Sequence, residues 1–352
     1  MRKKVLMVML GLAIILASST VVSATTNRMR VLGNGGLVGI VSDEAIDIEL
    51  NSAQLFNIKE NKFFLDSQLR IDDLNDRILI SPRVVYHLDN NNVSGIYADI
   101  DSRENFDMYS FKVANAIQYN QQLTLGGRLG LNSLESENEV VFAGGFIYEP
   151  NAKVVIDGSL GMNYGYKFNN ISEIATSLFN FSGNFPGLDE YLDNEVANVP
   201  VVSEDNPRLF LRRVEEINED ESIVGLIDLN FGDSDILNNQ KIAIGKNSKY
   251  KNSLFSYGAR LLNSDLYTSL DLNWGIENNL KDNLVLRVGS SHNILMDIDD
   301  ETEISTPQGD YVNVGLSYKY DAKTKLDIAY LPYVQLGDDT TTDINISLTR
   351  TF

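Results

Sequence analysis

The chain has 352 residues, no cysteine and a formal net charge of −20, with 43% hydrophobic residues. The missing cysteine excludes a disulfide framework, thiol catalysis and zinc held by thiolates. So acidic a balance disfavours nucleic acid and anionic lipid surfaces as partners, because both are polyanionic.

Taken in order, the sequence opens on Arg2, Lys3 and Lys4, an apolar run from Val5 to Ala17, and a small-residue end, Val22-Ser23-Ala24. This pattern predicts a secretory signal peptide over residues 1–24, cut after Ala24. Its apolar core of about thirteen residues falls short of the roughly 20 that a spanning helix needs. Removing its three basic residues leaves 26 of the 29 against 49 acidic ones, a net −23. No second long apolar run occurs, so the mature chain is either soluble outside the cytoplasm or a membrane β-barrel. A barrel carries its apolar surface in alternation, so a mean hydropathy of −0.14 is compatible with insertion.

Residues 25–61 differ in character from the rest of the mature chain. They run through Arg28-Met29-Arg30 and Val31-Leu32-Gly33-Asn34-Gly35-Gly36 to an acidic patch, Asp43, Glu44, Asp47 and Glu49, and then Leu50-Asn51-Ser52-Ala53-Gln54-Leu55. The glycines permit backbone geometries that a regular strand does not use. On Arg30, Leu32, Gly35, Gly36, Asp43, Glu44, Asn51, Ala53 and Leu55 the segment resembles the mature N-terminus of the long-chain fatty-acid transporter superfamily of outer-membrane barrels. That family carries a glycine-rich segment, a short acidic run and an Asn-Pro-Ala motif. Ser52 stands where the family has proline, and Gln54 where it commonly has glycine. The resemblance implies that residues 25–61 fold into the barrel as a plug, with Gly33, Gly35, Gly36, Asp43, Glu44, Asn51 and Ala53 as its marker positions.

From Lys62 to the end, residues 62–352 read as alternating segments separated by turn-forming residues. Phe63, Leu65, Leu69 and Ile71 share one face, as do Leu123, Leu125, Leu129 and Leu131. Segments near 77–87, 107–118, 139–149 and 152–166 are less regular, and Pro82 weakens the first because proline cannot donate to a ladder. Later faces are clearer: Ile223, Ile227, Leu229, Phe231; Phe255, Tyr257, Ala259, Leu261; Leu266, Leu270, Leu272, Trp274; Leu284, Leu286, Val288; Val312, Val314, Leu316, Tyr318, Tyr320; and Leu326, Ile328, Tyr330, Val334. The pattern predicts an all-β, antiparallel, up-and-down transmembrane barrel of about fourteen strands, within a range of 12 to 16. The upper figure requires Ser94 to Ile100 to be a separate crossing.

The last strand, Thr342 to Phe352, places Ile344, Ile346, Leu348 and Phe352 on one face and Asp343, Asn345, Ser347 and Thr349 on the other. A strand ending on a free C-terminal aromatic resembles the closing strand of an outer-membrane barrel, with Leu348 and Phe352 read as the assembly signal. Arg350 interrupts its apolar face. Counting connections back from Phe352 puts both of the longest, His292 to Gly309 and Phe168 to Asn206, at the opposite end from the tight turns, the usual barrel asymmetry. Within the longest, Ile171, Ile174, Ala175, Leu178 and Phe179 have helical spacing. Trp274, Tyr318 and Tyr320 are expected at one interfacial girdle.

No motif points to an enzyme or a cofactor. His87 and His292 are the only histidines, and no nucleophile–base spacing or phosphate loop occurs. The acidic run Asp297, Asp299, Asp300, Glu301, Glu303 lacks the central glycine of an EF-hand and reads as solvated, so no metal site is expected. The face opposite the apolar one would line the lumen and carries Arg128, Arg260, Arg287, Asp228, Asp271, Asp327 and Lys319. Charges in a confined interior need partners, and one expectation is that the arginines pair with Asp43, Glu44, Asp47 or Glu49. The function expected is passive uptake of a hydrophobic or amphipathic small molecule through the outer membrane of a diderm bacterium. The partners are then outer-membrane lipid, the barrel-assembly machinery and a small amphipathic ligand, with no nucleic acid. Alternatives are a polar diffusion porin and a structural or partner-binding barrel.

Overall fold

The computed structural model describes residues 28, 31–32, 37–71, 77–103, 107–134, 137–166, 207–231, 240–263, 268–298, 301–303, 312–334 and 340–352. The expected signal peptide, Gly33, Gly35, Gly36 and the helical spacing near residues 171–179 lie outside them.

Seventeen strands form one antiparallel sheet: β1 (Lys62–Ile71), β2 (Arg77–Asp89), β3 (Asn92–Arg103), β4 (Asp107–Gln118), β5 (Leu123–Leu134), β6 (Glu137–Asn151), β7 (Val154–Tyr166), β8 (Arg208–Asn218), β9 (Glu221–Asn230), β10 (Gln240–Tyr250), β11 (Ser253–Asn263), β12 (Thr268–Lys281), β13 (Leu284–Ile298), β14 (Glu301–Glu303), β15 (Asn313–Lys319), β16 (Thr324–Val334) and β17 (Thr340–Thr351). The three-residue β14 only folds back on the end of β13, so sixteen strands make the wall. Sixteen is the upper figure of the expected range, reached because β3 is a crossing of its own. Each wall strand pairs with its chain neighbour, and β17 closes on β1 from Lys62↔Thr351 to Ile71↔Thr342. The ladder continues one step further, where Phe352 N donates to Asn61 O at 3.0 Å. Closure removes every edge, which an open sheet of this size could not do.

The sequence faces map onto two surfaces. Along β17, Asp343, Asn345, Ser347 and Thr349 point inward and are essentially inaccessible, whereas the Ile344, Ile346, Leu348 face points out. Leu348 packs there against Leu65, Phe63, Ile80 and Leu326. Elsewhere the outward face is apolar and open to the surroundings, as at Ile227, Ile242, Ile244, Leu272, Val314 and Ile328. No helix among the described residues is long and apolar enough to cross a membrane, so any crossing belongs to the strands.

Two expectations change. The connection from His292 shortens, since β13 carries the chain through His292 to Ile298. Trp274 is not in a girdle: it lies mid-strand opposite Tyr257 and Ser290, where its indole N–H donates to His292 Nε2 at 3.1 Å. An indole with a hydrogen-bond partner at that depth has no need of an interface. The exposed aromatics that do gather at the short-turn end are Tyr119, Tyr148, Tyr250, Tyr318, Tyr320 and Phe352.

Candidate functional site

The N-terminal segment is built around two capped turns. Asp43 caps helix α1 (Glu44–Leu50), its carboxylate accepting from Ala45 N and Ile46 N. Asp47 Oδ2 reaches back to accept from Asp43 N (3.0 Å) and Ser42 Oγ (2.7 Å). Asn51 then ends α1 and starts a 3₁₀ helix (Ser52–Asn57), its Oδ1 accepting from Ala53 N at 3.0 Å. A side-chain cap of this kind satisfies an amide that the helix itself cannot. Ser52 therefore occupies the proline position of the resembled motif without losing the turn.

Contacts on many strands of a closed wall place this segment inside the barrel. A β-carbon at Gly95 of β3 would crowd Leu55; at Gly126 of β5 it would fall on Ala53 N, at Gly145 of β6 on Asn51 Oδ1, and at Gly245 of β10 on Ile40. The same holds for Gly275 of β12 against Leu32 and Gly315 of β15 against Val31. These strands span most of the circumference, so the glycines form a belt against which the segment sits. Outward Gly127 and Gly144, by contrast, have nothing within 4 Å of a built β-carbon.

Two apolar clusters complete the fit. Leu32, Leu37, Val38, Ile40, Val41, Ile46 and Leu50 pack on Phe210, Val224, Leu226 and Ala243 of β8–β10. Ala45, Ile48, Leu55 and Ile58 pack on Phe64, Val85, Val93, Tyr97, Ala114 and Ala116 of β1–β4. The wall is thus apolar on its inner face at these two patches.

Charges lock the same contact. Arg212 of β8 bridges Asp47 (2.7 Å) and wall Asp157 (2.8 Å), and Arg83 of β2 bridges Glu49 and Asp66, each at 2.5 Å. Lys62 pairs with Glu44 at 2.6 Å, and Arg28 of the segment reaches wall Glu277 at 2.8 Å. Asn51 Nδ2 donates to Phe146 O at 2.8 Å, and Ser159 Oγ donates to Leu50 O at 2.6 Å. A buried ion pair of this kind is costly to break one-sidedly, because the remaining charge is left without water or partner.

The expected lumen residues Arg128, Arg260, Arg287, Asp228 and Asp271 face inward, but their partners differ from those expected. Arg128 Nη1 donates to the backbone oxygen of Glu49 at 2.8 Å and not to a carboxylate. Arg260 pairs with Asp271 at 2.5 Å, Arg287 with Asp327 at 2.8 Å and Glu277 at 2.5 Å, and Asp228 with Arg208 at 2.5 Å. The arginines that hold the acidic patch are Arg83 and Arg212. Their signal in the sequence is the period itself: each alternates with outward apolar neighbours, Val84 and Leu211, yet neither segment alternates cleanly.

His87 is structural, its Nε2 lying 2.9 Å from Ile58 O. Among the described residues no group of three or more His, Cys, Asp or Glu is arranged to hold a metal. A groove of about 770 Å³ lies on the outer surface, with Gly127 and Gly144 on its floor between Ile96, Val113, Leu129 and Phe142. It faces away from the lumen.

Barrel, enclosed N-terminal segment and closing aromatic strand define one class of architecture: a sixteen-stranded antiparallel barrel occupied by its own N-terminus. A bacterial polysaccharide outer membrane secretin superposes on it with a TM-score of 0.57 at 8% identity, covering 83% of this chain and 98% of that one. CdiB from Acinetobacter baumannii gives 0.55 at 10% identity, over 83% of this chain and 60% of that one. The TodX monoaromatic hydrocarbon channel, as a deltaS2 mutant, gives 0.47 at 12% identity over 93% and 99%. No protein-family model matches the chain, and no curated protein matches it by sequence. At these identities the first two likenesses establish the barrel fold.

Proposed function

We propose that this protein is an outer-membrane barrel for passive uptake of hydrophobic or amphipathic small molecules, with its N-terminal segment as the plug. The observation that carries this reading is the double lock on that segment, a glycine belt for its backbone and Arg83 and Arg212 for its carboxylates. An apolar outer face surrounding the wall suits hydrocarbon, since water-soluble monomers rarely expose more than a few hundred Å² of contiguous apolar surface. The exposed aromatics at the short-turn end suit an interface. In this reading the short turns face the periplasm, the long connections face outside, and the chain arrives after cleavage of residues 1–24 in a diderm cell. Leu348 and Phe352 then serve recognition by the assembly machinery.

Amphipathic cargo fits the order of surfaces a solute would meet. The ion pairs Arg208–Asp228 and Arg260–Asp271 sit towards the long-connection ends of β8–β12. The apolar patch of Phe210, Val224, Leu226 and Ala243 comes next, and displacement of the plug uncovers it. A second reading, a polar diffusion porin, is favoured by the density of paired charges on the inner wall. Entry of N-phenyl-1-naphthylamine and of arabinose into cells expressing the full-length chain separates them. The uptake reading requires faster entry of the naphthylamine; faster arabinose entry alone supports the porin, and no change in either supports a structural barrel.

A further inference from the structure

Every turn at the short-turn end of the barrel belongs to the described residues, and their charges divide by sector. The turn end of the β8–β9 hairpin carries Glu215, Glu216, Glu219, Asp220 and Glu221, against Arg213 alone. The next seven wall strands, β10–β13 and β15–β17, end instead on Lys249, Lys251, Lys281, Lys319, Lys323 and Arg350. The carboxylates among these are Asp282, Asp321 and the chain terminus at Phe352, so six cations face three anions. Lys246 and Lys325 are already paired, with Glu221 and Asp327. None of the six forms an ion pair among the described residues, so nearly half of the circumference ends in open cations.

Geometry turns this sector outward. Lys251 is the one non-glycine residue with a positive φ among the described residues, at 53°, a conformation that glycine or asparagine adopts at less cost. Its ammonium lies 5.2 Å from the centre of the Tyr250 ring, and Tyr250 is exposed on the outward face of β10 with Ile242 and Ile244. Arg350 shares the outward face of Leu348 on β17. Exposed Tyr318 and Tyr320 flank Lys319, and exposed Phe352 follows Arg350. Cations thus alternate with aromatic rings along the edge of the apolar band. Long basic side chains lay their stems on such an edge while their heads reach past it. A water-soluble acidic partner would have no use for the rings.

We propose that this basic sector, centred on the Tyr250–Lys251 hairpin, binds the phosphate headgroups of anionic phospholipid in the leaflet at the short-turn end. The net charge of −20 argues against such a partner only for the chain as a whole. Screening in physiological salt acts over about 8 Å, so a headgroup at these turns senses the local cations and not the acidic residues elsewhere. The barrel then carries an anionic lipid shell on one side and a neutral one on the other. This deepens the outer-membrane reading and rests on it for the presence of a bilayer, but the lipid preference itself is testable without one.

The test uses the full mature chain folded in detergent, with dioleoylphosphatidylglycerol as the anionic probe and dioleoylphosphatidylcholine as its zwitterionic counterpart, bound lipids being counted by native mass spectrometry. Wild type should retain the anionic lipid about fivefold or more over the other, the scale of one basic side chain near a headgroup, and the preference should shrink as salt rises. Lys251→Gln combined with Lys281→Gln, Lys323→Gln and Arg350→Gln should abolish it. Lys59→Gln with Lys153→Gln, exposed lysines at the same end outside the sector, should leave it intact. Heat-modifiable migration confirms that each variant is folded. In vesicles the chain's one tryptophan, Trp274, reports from the outward face of β12 within the sector. Its quenching by brominated phosphatidylcholine should be relieved more by phosphatidylglycerol than by plain phosphatidylcholine, whereas Leu160→Trp on β7, in a Trp274→Phe chain, should show no such difference. Equal retention of the two lipids, a preference that survives the combined variant, or the same preference at β7 as at β12 overturns the sector. Retention of polyglutamate in place of the anionic lipid also overturns it and points to an acidic protein partner. A lipid preference in detergent with Trp274 unquenched in vesicles leaves the sector standing and removes the outer-membrane reading instead.

Discussion

Arg212 and Asp47 meet at 2.7 Å, with side chains only 4% and 5% exposed, one on the barrel wall and the other on the helix inside it. Asp157 of the neighbouring strand shares the same guanidinium at 2.8 Å. One arginine therefore joins plug to wall and compensates a wall carboxylate. Asp47→Asn keeps the Arg212–Asp157 pair, whereas Arg212→Met leaves two buried carboxylates facing each other. Arg212→Met is expected to cost about 3–5 kcal/mol and Asp47→Asn distinctly less, read as shifts of the unfolding midpoint in urea with both variants refolded in the same detergent.

The glycine belt makes a paired prediction. Gly126→Val and Gly145→Val place side chains where Ala53 and Asn51 sit, so they should expel the segment while the wall still forms. Conductance in planar bilayers should rise in both. Gly127→Val and Gly144→Val, one residue away but facing out with nothing nearby, should conduct like wild type. Equal conductance of inward and outward variants would remove the belt from the account.

Asn51 carries four contacts at one corner: the end of α1, the cap of the 3₁₀ helix, and bonds to Phe146 O and Asp157. Asn51→Ala removes the cap, worth about 1 kcal/mol, and leaves the carbonyl of Phe146 without its side-chain donor. Protease sensitivity of residues 51–58 should rise, measured by mass spectrometry of limited digests. Asn51→Asp should restore the cap at Ala53 but not the bond to Phe146 O, and so recover only part of the protection.

At the closing strand, Phe352 extends the ladder to Asn61 and is 56% exposed among the short-turn aromatics. Arg350 lies on the same outward face opposite Phe63 and Thr324; in the proposed outer-membrane setting, a side chain of that length at the strand's end can extend to the headgroups. Phe352→Ala should lower the fraction of heat-modifiable barrel in membranes far more than Arg350→Ala, with Leu348→Ala intermediate because it disturbs only the Leu65–Leu326 cluster. Equal assembly of the Phe352 and Arg350 variants would count against β17 as the closing, recognised strand.

The barrel is legible in the sequence wherever the inner face is polar, as in β15 and in β17 as far as Thr349, because there the alternation is unbroken. It blurs where the inner face meets the plug. In β3, Val93 and Tyr97 point inward against Leu55 and its neighbours, so apolar residues fall on both faces and the period of two fades; the strand count hinges on this crossing for that reason. Phe210 in β8 and Val224 and Leu226 in β9 disturb the pattern in the same way. The arginines are harder still. Arg212 and Arg213 are adjacent and chemically identical, yet Arg212 is buried on Asp47 while Arg213 faces out to Glu215. Only the register decides between them, and one residue of slip exchanges the two faces. The acidic patch is readable as needing partners; which cations supply them is a property of the closed wall.

The central claim is that the N-terminal segment closes this barrel, and single-channel conductance of the mature chain with residues 25–55 deleted tests it most directly. The deletion removes both capping residues, Asp43 and Asn51, and every residue that the segment contributes to the two apolar clusters except Ile58, while sparing β1–β17. A large, steady conductance in the deleted chain, against little in the intact one, is the result predicted. Unchanged conductance in a deleted chain that still folds and inserts would contradict it.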